Sequence, residues 1–302
     1  MITIYLDHNV IDKFDNGKTA YLEPIFANKE YQAIISIASI DEIFRGGNQD
    51  RSKRNIESLK KLGVKYIHSG NDELHMSIDE LDYVNIHAKW LEMQSVIAPL
   101  NSSLFLFFSA LYGRNAEEAY QNMECAETDK VNWIKKYSGK FPKLQNQVQR
   151  ILCNSEERKQ LVALKGMLPF TTKEINNISE ESIFWTCVDK LKNADDDNLS
   201  LIGHHIQNEI ENEATIEDQL MFVLNWLNLF GYYPDKLAQI NKTRSNFYDA
   251  LHGTYAIACD GLLTLDKNFA KRIAAAMRAL TLKTTIGTDA NELLFRITQG
   301  RI

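Results

Sequence analysis

The chain has 302 residues, of which 44% are hydrophobic and 25% are charged, proportions that are typical of soluble globular proteins. This length allows one large domain or two ordinary ones, and the low counts of 5 Pro and 14 Gly exclude long flexible linkers. A formal net charge of −6 excludes a generally cationic DNA-coating protein, but it leaves room for an enzyme with a local basic face.

Localisation is indicated by the cysteines and by the apolar segments. The four cysteines form no C-x-x-C pair, which argues against a zinc site or a disulfide framework and favours a reducing cytoplasm. Residues 1–7 lack the basic start and the long apolar run of a signal peptide. Residues 93–113 are uncharged, but polar residues and a proline interrupt them, so a buried helix is favoured over a membrane span. We therefore expect a cytoplasmic protein without a membrane anchor.

Residues 1 to about 70 have an α/β pattern. The predicted strands are Ile2–Leu6, Ala33–Ile37 and Val64–Ile67. The second strand leads into a helix, for which Ser39 is the predicted N-cap with Glu42 as its capping-box partner. Gly46 and Gly47 are predicted to end that helix.

The pattern changes at about residue 71 and returns at about residue 243. Residues 71–242 show helical spacing with almost no strand-like runs, which predicts an all-helical subdomain. The C-terminal block then alternates between strands and helices again. Its predicted elements are a helix over Phe247–Ala258, a strand over Gly261–Leu265, a helix over Lys267–Ala279, a strand over Lys283–Ile286 and a helix over Asp289–Ile297. Such alternation implies a parallel sheet shared by both ends of the chain, with the helical block inserted between them.

Four acidic residues occupy positions where such a fold places functional groups. Asp7 and Asp266 each follow a predicted strand, Asp249 lies near a helix start, and Glu42 lies in the helix after the second strand. In open parallel sheets, ligands bind outside the carboxyl ends of the strands. Converging carboxylates repel one another, and Mg²⁺ or Mn²⁺ relieves that repulsion and activates water for phosphodiester hydrolysis. An Asp after a strand also commonly serves as a cap or turn former, so spacing alone leaves both interpretations open.

Four sequence contexts resemble the motifs of PIN-domain nucleases, in the order of that family. They are Ile4–Asp12, Ile35–Ile43, Asp249–Ala258 and Leu262–Phe269. The first is an apolar strand followed by an Asp and an Asn, and the second has a Ser at a strand end with a Glu six residues later. The third is an Asp that opens a helix of small residues, and the fourth is a strand followed by Thr-x-Asp-x-x-Phe. The resemblance covers residues 1–70 and 243–302.

The resemblance implies a Rossmann-like three-layer core and a Mg²⁺- or Mn²⁺-dependent endoribonuclease. Asp7, Glu42, Asp249 and Asp266 would be the metal ligands, with Asn9 and Thr264 as supporting polar residues. Standalone bacterial members of the family often act as toxins or defence effectors, so a protein regulator, an antitoxin or a homodimer is an expected partner. Two features depart from the family. His8 stands where Thr or Ser is usual, and 207 positions separate Glu42 from Asp249. The helical insertion would therefore hold RNA, neutralise the site or bind the partner.

Further residues near the motifs each have a functional and a structural interpretation. His252 lies three residues after Asp249, on the same helix face, where it would join the metal, contact phosphate or support the site by packing. Basic residues follow the second and fourth motifs, and they would engage RNA phosphates or form solvated helix faces. They include Arg45, Arg51, Lys53, Arg54, Lys60, Lys61, Lys267, Lys271 and Arg272.

Two other functions compete with the ribonuclease hypothesis. A flap-type DNA nuclease would use the same chemistry, although it needs more acidic ligands than the motifs supply. A non-catalytic scaffold would use the helical block to bind a protein, although the presence of all four acids argues against a degenerate site.

Overall fold

The computed structural model describes residues 1–15, 17–69, 76–91, 168–212, 215–234 and 240–300. The chain divides into two compact units, one formed by Met1–Leu91 with Asp249–Ile302 and the other by Glu92–Tyr248. The first unit contains β1 (Ile2–Leu6), α1 (His8–Asp15), α2 (Leu22–Ala27), β2 (Tyr31–Ser36), α3 (Ile37–Arg45), α4 (Gln49–Lys61), β3 (Lys65–Ser69) and β4 (Met76–Glu80). The second contains α5 (Thr172–Asn176), α6 (Ile183–Lys192), α7 (Asp197–Asn212) and α8 (Ile216–Phe230). The helix α9 (Ile240–Ala256) contains the boundary, and β5 (Gly261–Leu263), α10 (Lys267–Ala279), β6 (Thr285–Gly287) and α11 (Ala290–Gln299) complete the first unit.

The first unit is built on a six-stranded sheet with the order β4-β3-β2-β1-β5-β6. All neighbouring pairs are parallel except β3 and β4, which are antiparallel. Ile4 of β1 lies opposite Ala33 of β2 on one side and Gly261 of β5 on the other, so both ends of the chain contribute central strands. The predicted α/β class is confirmed.

The central strands form where the sequence is most apolar. Ile4, Tyr5 and Leu6 of β1 are fully buried, and all three residues of β5 are buried as well. A parallel strand is covered on both faces, so a short continuous apolar run is the pattern that suits it. Helices pack around the sheet, and α11, for example, packs against β5 and β6.

Two details of the first unit differ from the sequence-based expectation. The unit extends to Leu91 rather than residue 70 because β4, which has no β-branched run, pairs with β3. The helix after β2 begins at Ile37 and is capped by Ser36, whose Oγ accepts from the Ala38 amide at 3.2 Å. The predicted Ser39 N-cap is therefore wrong, because the helix starts directly at the strand end and Ser39 is buried inside it.

In the described residues of the second unit, 168–212, 215–234 and 240–248, the regular elements are all helices. Thr215 caps α8 by accepting from the Asp218 amide, and Gly231 ends that helix with φ 88°. None of the described helices is long and apolar enough to cross a membrane. Residues 93–113, for which a buried helix is predicted, lie outside the described part of the chain.

Candidate metal centre

Three polar residues mark the carboxyl ends of the central strands. Asp7 directly follows β1, Ser36 ends β2, and Thr264 directly follows β5. The Asp7 amide donates to the Leu263 carbonyl at 3.1 Å, so the β1–β5 ladder continues up to the acidic residue. Because these strands are parallel neighbours, their carboxyl ends share one edge, where ligands bind in open α/β sheets.

Asp7, Glu42 and His252 converge at this edge. Each offers one ligand atom, and the three atoms all lie within 4.8 Å of one another. The Nε2 atom of His252 is 2.8 Å from Oε2 of Glu42 and 3.5 Å from Oδ1 of Asp7. The side chains of His252, Asp7 and Glu42 are 1%, 6% and 18% exposed. The strand β1 and the helices α3 and α9 thus each supply one member of a largely buried group.

Asp7 is oriented by two polar neighbours that hold only one of its oxygens. Thr264 Oγ1 donates to Oδ2 of Asp7 at 2.6 Å, and Asn9 Nδ2 donates to the same oxygen at 2.5 Å. The Leu265 amide donates to Asn9 Oδ1 at 2.8 Å, which fixes the Asn9 side chain. Asn9 and Thr264 thus lie beside Asp7, where the resemblance expects supporting residues, while Oδ1 faces His252.

His252 is held from its other ring nitrogen. Its Nδ1 lies 2.7 Å from the Tyr5 hydroxyl, which lies 2.6 Å from Oγ of Ser36. All three residues are almost completely buried. This chain of hydrogen bonds places the ring between the strand ends and Glu42.

The three side chains of the group change one another's pKa values. Burial raises the pKa of Asp7, and the nearby Glu42 adds to the rise while His252 opposes it. Burial also acts to raise the pKa of Glu42, but the hydrogen bond and charge of His252 outweigh it, so that pKa is lowered. For His252, burial acts to lower the pKa, but the bond to Glu42 and the charge of Asp7 raise it on balance. The two acids therefore favour the charged form of His252, and His252 in turn favours the charged forms of Asp7 and Glu42.

The donor set fits a divalent transition-metal ion. Adjacent ligand atoms around one ion with bonds of about 2.1 Å lie roughly 3 Å apart at right angles, close to the 2.8 and 3.5 Å distances here. A divalent ion would also supply positive charge that compensates the two carboxylates.

The other two predicted ligands have different partners. Asp249 accepts from Nη2 of Arg272 at 3.0 Å, and Arg272 is 1% exposed. Asp266 caps α10, with its Oδ1 accepting from the amides of Asn268 and Phe269. Among the described residues, the group with mutually close ligand atoms contains neither Asp249 nor Asp266. Asp260, which the sequence places at the amino end of β5, bonds to Thr3 there, away from the site edge.

The basic residues named from the sequence fall into different environments. Arg45 lies 3.7 Å from Glu42 and 3.7 Å from Asp41, and Lys267 and Lys271 are exposed. Arg272, in contrast, is buried, so neither interpretation, a phosphate contact or a solvated helix face, holds for it. It lies on the face of α10 that also buries Phe269 and Ile273, and its ion pair with Asp249 compensates its charge there.

His8, the departure from the family pattern, is bound to a neighbouring basic residue. Nη2 of Arg51 donates to His8 Nε2 at 3.2 Å, and Arg51 Nε donates to Asp12 at 2.8 Å. Since arginine is only a donor, Nε2 accepts, and the Nδ1 nitrogen carries the proton of the neutral ring. Burial lowers the pKa of His8, which favours that neutral form.

Tyr5 is a site residue that the sequence interpretation missed. It is hidden in an aliphatic strand, where a buried aromatic residue is expected to be core. The sequence feature that could have identified Tyr5 is its position two residues before Asp7. Because side chains alternate between the two faces of a strand, residues two apart point to the same face. A hydroxyl on that face requires a polar partner, which His252 and Ser36 provide.

The chain was compared with protein-family models, with curated proteins and with solved structures, and none of the three comparisons finds a match. The PIN-like interpretation therefore rests on the four motifs and on the residues that surround Asp7.

Proposed function

We propose that this chain is a divalent-metal-dependent nuclease that hydrolyses RNA phosphodiester bonds at the centre formed by Asp7, Glu42 and His252. The observation that carries the proposal is the convergence of these three ligand atoms within 4.8 Å, at the carboxyl ends of the central parallel strands. Two largely buried carboxylates repel each other unless a positive charge compensates them. A bound divalent ion would supply that charge and could activate water for hydrolysis.

The choice of RNA rests on the sequence motifs and on the charges around the centre. The four contexts that resemble PIN-domain motifs occur in order, and the Asn and Thr of those motifs hold Asp7. Arg45 lies beside Glu42, and the exposed Lys267 and Lys271 follow Asp266 along the chain. Such cations would hold the phosphates of the strand to be cut. In this proposal the core is PIN-like, and the helical unit is the insertion that contacts RNA or a regulating protein, such as an antitoxin.

Each residue has a definite part in the proposed reaction. Asp7 Oδ1, Glu42 and His252 Nε2 would hold Mn²⁺ or Mg²⁺, while Asn9 and Thr264 keep Asp7 Oδ2 turned away. The bound ion would supply charge stabilisation at the phosphate and lower the pKa of the attacking water. The buried position of Asp7 excludes bulk water, which strengthens these electrostatic interactions.

The test is a cleavage assay on matched RNA and DNA strands with Mn²⁺ or Mg²⁺. We expect cleavage of RNA, and we expect Asp7→Asn to reduce it more than about 100-fold because a direct ligand charge is lost. Asp266→Asn keeps a good N-cap and loses only the charge, so we expect a smaller loss if three residues hold the ion. Asp260→Asn is the matched control, since it makes the same change at the opposite end of β5.

Each other result selects a different function. An equal loss in Asp7→Asn and Asp266→Asn would support the four-carboxylate centre expected from the motifs. Cleavage of DNA in place of RNA would favour a flap-type enzyme. Full activity in both variants would remove the nuclease assignment, and absent metal binding by calorimetry would favour a non-catalytic scaffold.

A further inference from the structure

We infer that Tyr5 is a positioning residue that holds His252 as a nitrogen ligand, and that this nitrogen makes the centre select Mn²⁺ over Mg²⁺. The inference rests on the proposed function, because it assumes that the Asp7–Glu42–His252 group holds a divalent ion. It adds the identity of the ion and the residue outside the ligand set that decides it.

The first step concerns which nitrogen of His252 is available. Nε2 is the nitrogen that faces both carboxylates, at 2.8 Å from Glu42 and 3.5 Å from Asp7. A metal ligand needs a free lone pair on Nε2, so the proton of the neutral ring must be on Nδ1. The tautomer of His252 therefore decides whether the centre has a nitrogen donor.

The second step concerns which group can accept a proton from Nδ1. The only hydrogen-bond partner recorded for Nδ1 among the described residues is the Tyr5 hydroxyl, at 2.7 Å. When Nδ1 donates to that oxygen, the Tyr5 proton is directed to Ser36 Oγ at 2.6 Å. Ser36 Oγ in turn is fixed by the Ala38 amide, which donates to it at 3.2 Å. A ligating histidine is commonly oriented through its second nitrogen in this way.

The third step concerns the ion. Mg²⁺ takes oxygen ligands in near-ideal octahedral geometry and keeps several waters, whereas imidazole suits transition-metal ions. A set of two carboxylates and one imidazole suits Mn²⁺, which accepts both kinds of donor. His252 is buried and its Nδ1 is bonded to Tyr5, so Nε2 stays directed at the centre, and an all-oxygen site for Mg²⁺ would require the ring to move.

The experiment measures the affinities for Mn²⁺ and Mg²⁺ by isothermal titration calorimetry on the full chain. We expect the wild-type protein to bind Mn²⁺ at least about ten-fold more tightly than Mg²⁺. Tyr5→Phe should weaken Mn²⁺ binding by about 10- to 100-fold while changing Mg²⁺ binding much less, because only Mn²⁺ uses the oriented nitrogen. A purely structural role of Tyr5 would lower both affinities together, and that result would overturn the inference.

Two further variants keep the test decisive. Tyr83→Phe is the matched control, because its hydroxyl also makes two hydrogen bonds, to the carbonyls of Leu59 and Val64, and no bond to the centre is recorded for it. It should leave the ratio of the two affinities unchanged. His252→Gln replaces the nitrogen donor with an amide and tests the inference even if Tyr5→Phe does not fold. The ratio should then fall, and the nitrogen coupling in the pulsed electron paramagnetic resonance spectrum of bound Mn²⁺ should disappear.

The outcomes separate the inference from the function beneath it. Equal affinities for Mn²⁺ and Mg²⁺ in an active wild-type enzyme would overturn the inference and leave the proposed nuclease standing. A wild-type protein that binds neither ion would overturn both.

Discussion

Asp7 has a different environment from an acidic residue that only ends a strand. Two side chains from separate parts of the sequence, Asn9 and Thr264, donate to one of its oxygens, and its other oxygen faces His252. Asp266 shows the contrasting case, because its carboxylate accepts from two amides of the helix that it caps. Orientation by neighbours, more than position after a strand, distinguishes the two residues.

A prediction at this scale concerns the charge of Asp249. Arg272→Met removes the guanidinium that lies 3.0 Å from the largely buried carboxylate of Asp249. We expect the free energy of unfolding to fall by about 3 kcal/mol, as found when one partner of a buried pair is removed. Urea unfolding monitored by circular dichroism measures this loss.

The control for that prediction is the double variant Asp249→Asn with Arg272→Met. It removes both charges, so we expect it to recover much of the stability that the single variant loses. If the double variant is as unstable as Arg272→Met alone, the loss comes from packing of the arginine stem and not from the broken ion pair between Arg272 and Asp249.

At the scale of elements, the site depends on how strands and helices end and which faces they bury. The neighbouring strands β1, β2 and β5 end at one edge, and α3 begins directly after β2, which brings Glu42 over that edge. In α9, Asp249 and His252 lie three residues apart on one face, yet one bonds to α10 and the other to α3. Two side chains on the same face of α9 thus bond to different helices.

The close packing of α6 and α7 gives a prediction for the helical unit. A Cβ at Gly203 would lie 2.5 Å from the Lys192 amide nitrogen and 3.0 Å from the Leu191 carbonyl carbon, which are backbone atoms that cannot easily move. Gly203→Ala should therefore lower the free energy of unfolding by about 1–3 kcal/mol, despite a helix-propensity gain of about 1 kcal/mol. Thermal unfolding measures the change.

Gly46→Ala is the matched substitution for comparison. The nearest atom to a Cβ there is Nη1 of Arg51 at 3.8 Å, and the backbone φ of −67° suits alanine. We expect this variant to be neutral or slightly more stable. Equal stability of Gly203→Ala and Gly46→Ala would show that α6 and α7 can separate at no measurable cost.

At the scale of the whole molecule, the candidate centre lies within one of two compact units. All three members of the centre belong to the unit formed by the two ends of the chain, and the other unit is Glu92–Tyr248. Ion binding should therefore stabilise the first unit directly, since a ligand of the folded state stabilises the part that holds it.

Removal of the metal tests this expectation. Free Mn²⁺ at about 100 times its Kd should stabilise the first unit by about 2.7 kcal/mol relative to a chelator-treated sample. Hydrogen exchange followed by mass spectrometry should show slower exchange in β1 and β5, with a much smaller change in α7 and α8. Asp7→Asn should abolish the effect, and equal slowing in both units would contradict a centre confined to the first.

Local sequence patterns were sufficient for the class of the fold and for several positions at the site edge. Sequence patterns predicted β1, β2, β3, β5 and β6 to within about two residues. The runs at β1, β2 and β5 are apolar, because a strand covered on both faces needs such a run. The order of elements then predicted that Asp7 and Asp266 follow strands that end at one edge, and the family resemblance added Asn9 and Thr264 there. The edge strand β4 was missed because it is largely exposed and lacks an apolar run, so only its pairing with β3 makes it a strand.

The sequence by itself determined the α/β order and the candidate acids, because both follow from patterns spanning a few residues. Only the tertiary structure decided which side chains meet. His252 reaches Glu42 across 210 positions, Tyr5 bonds to His252 across 247, and Arg272 turns inward to Asp249. Such choices depend on side-chain direction and on the need to satisfy every buried polar group, which packing imposes on the folded chain and which no local propensity encodes.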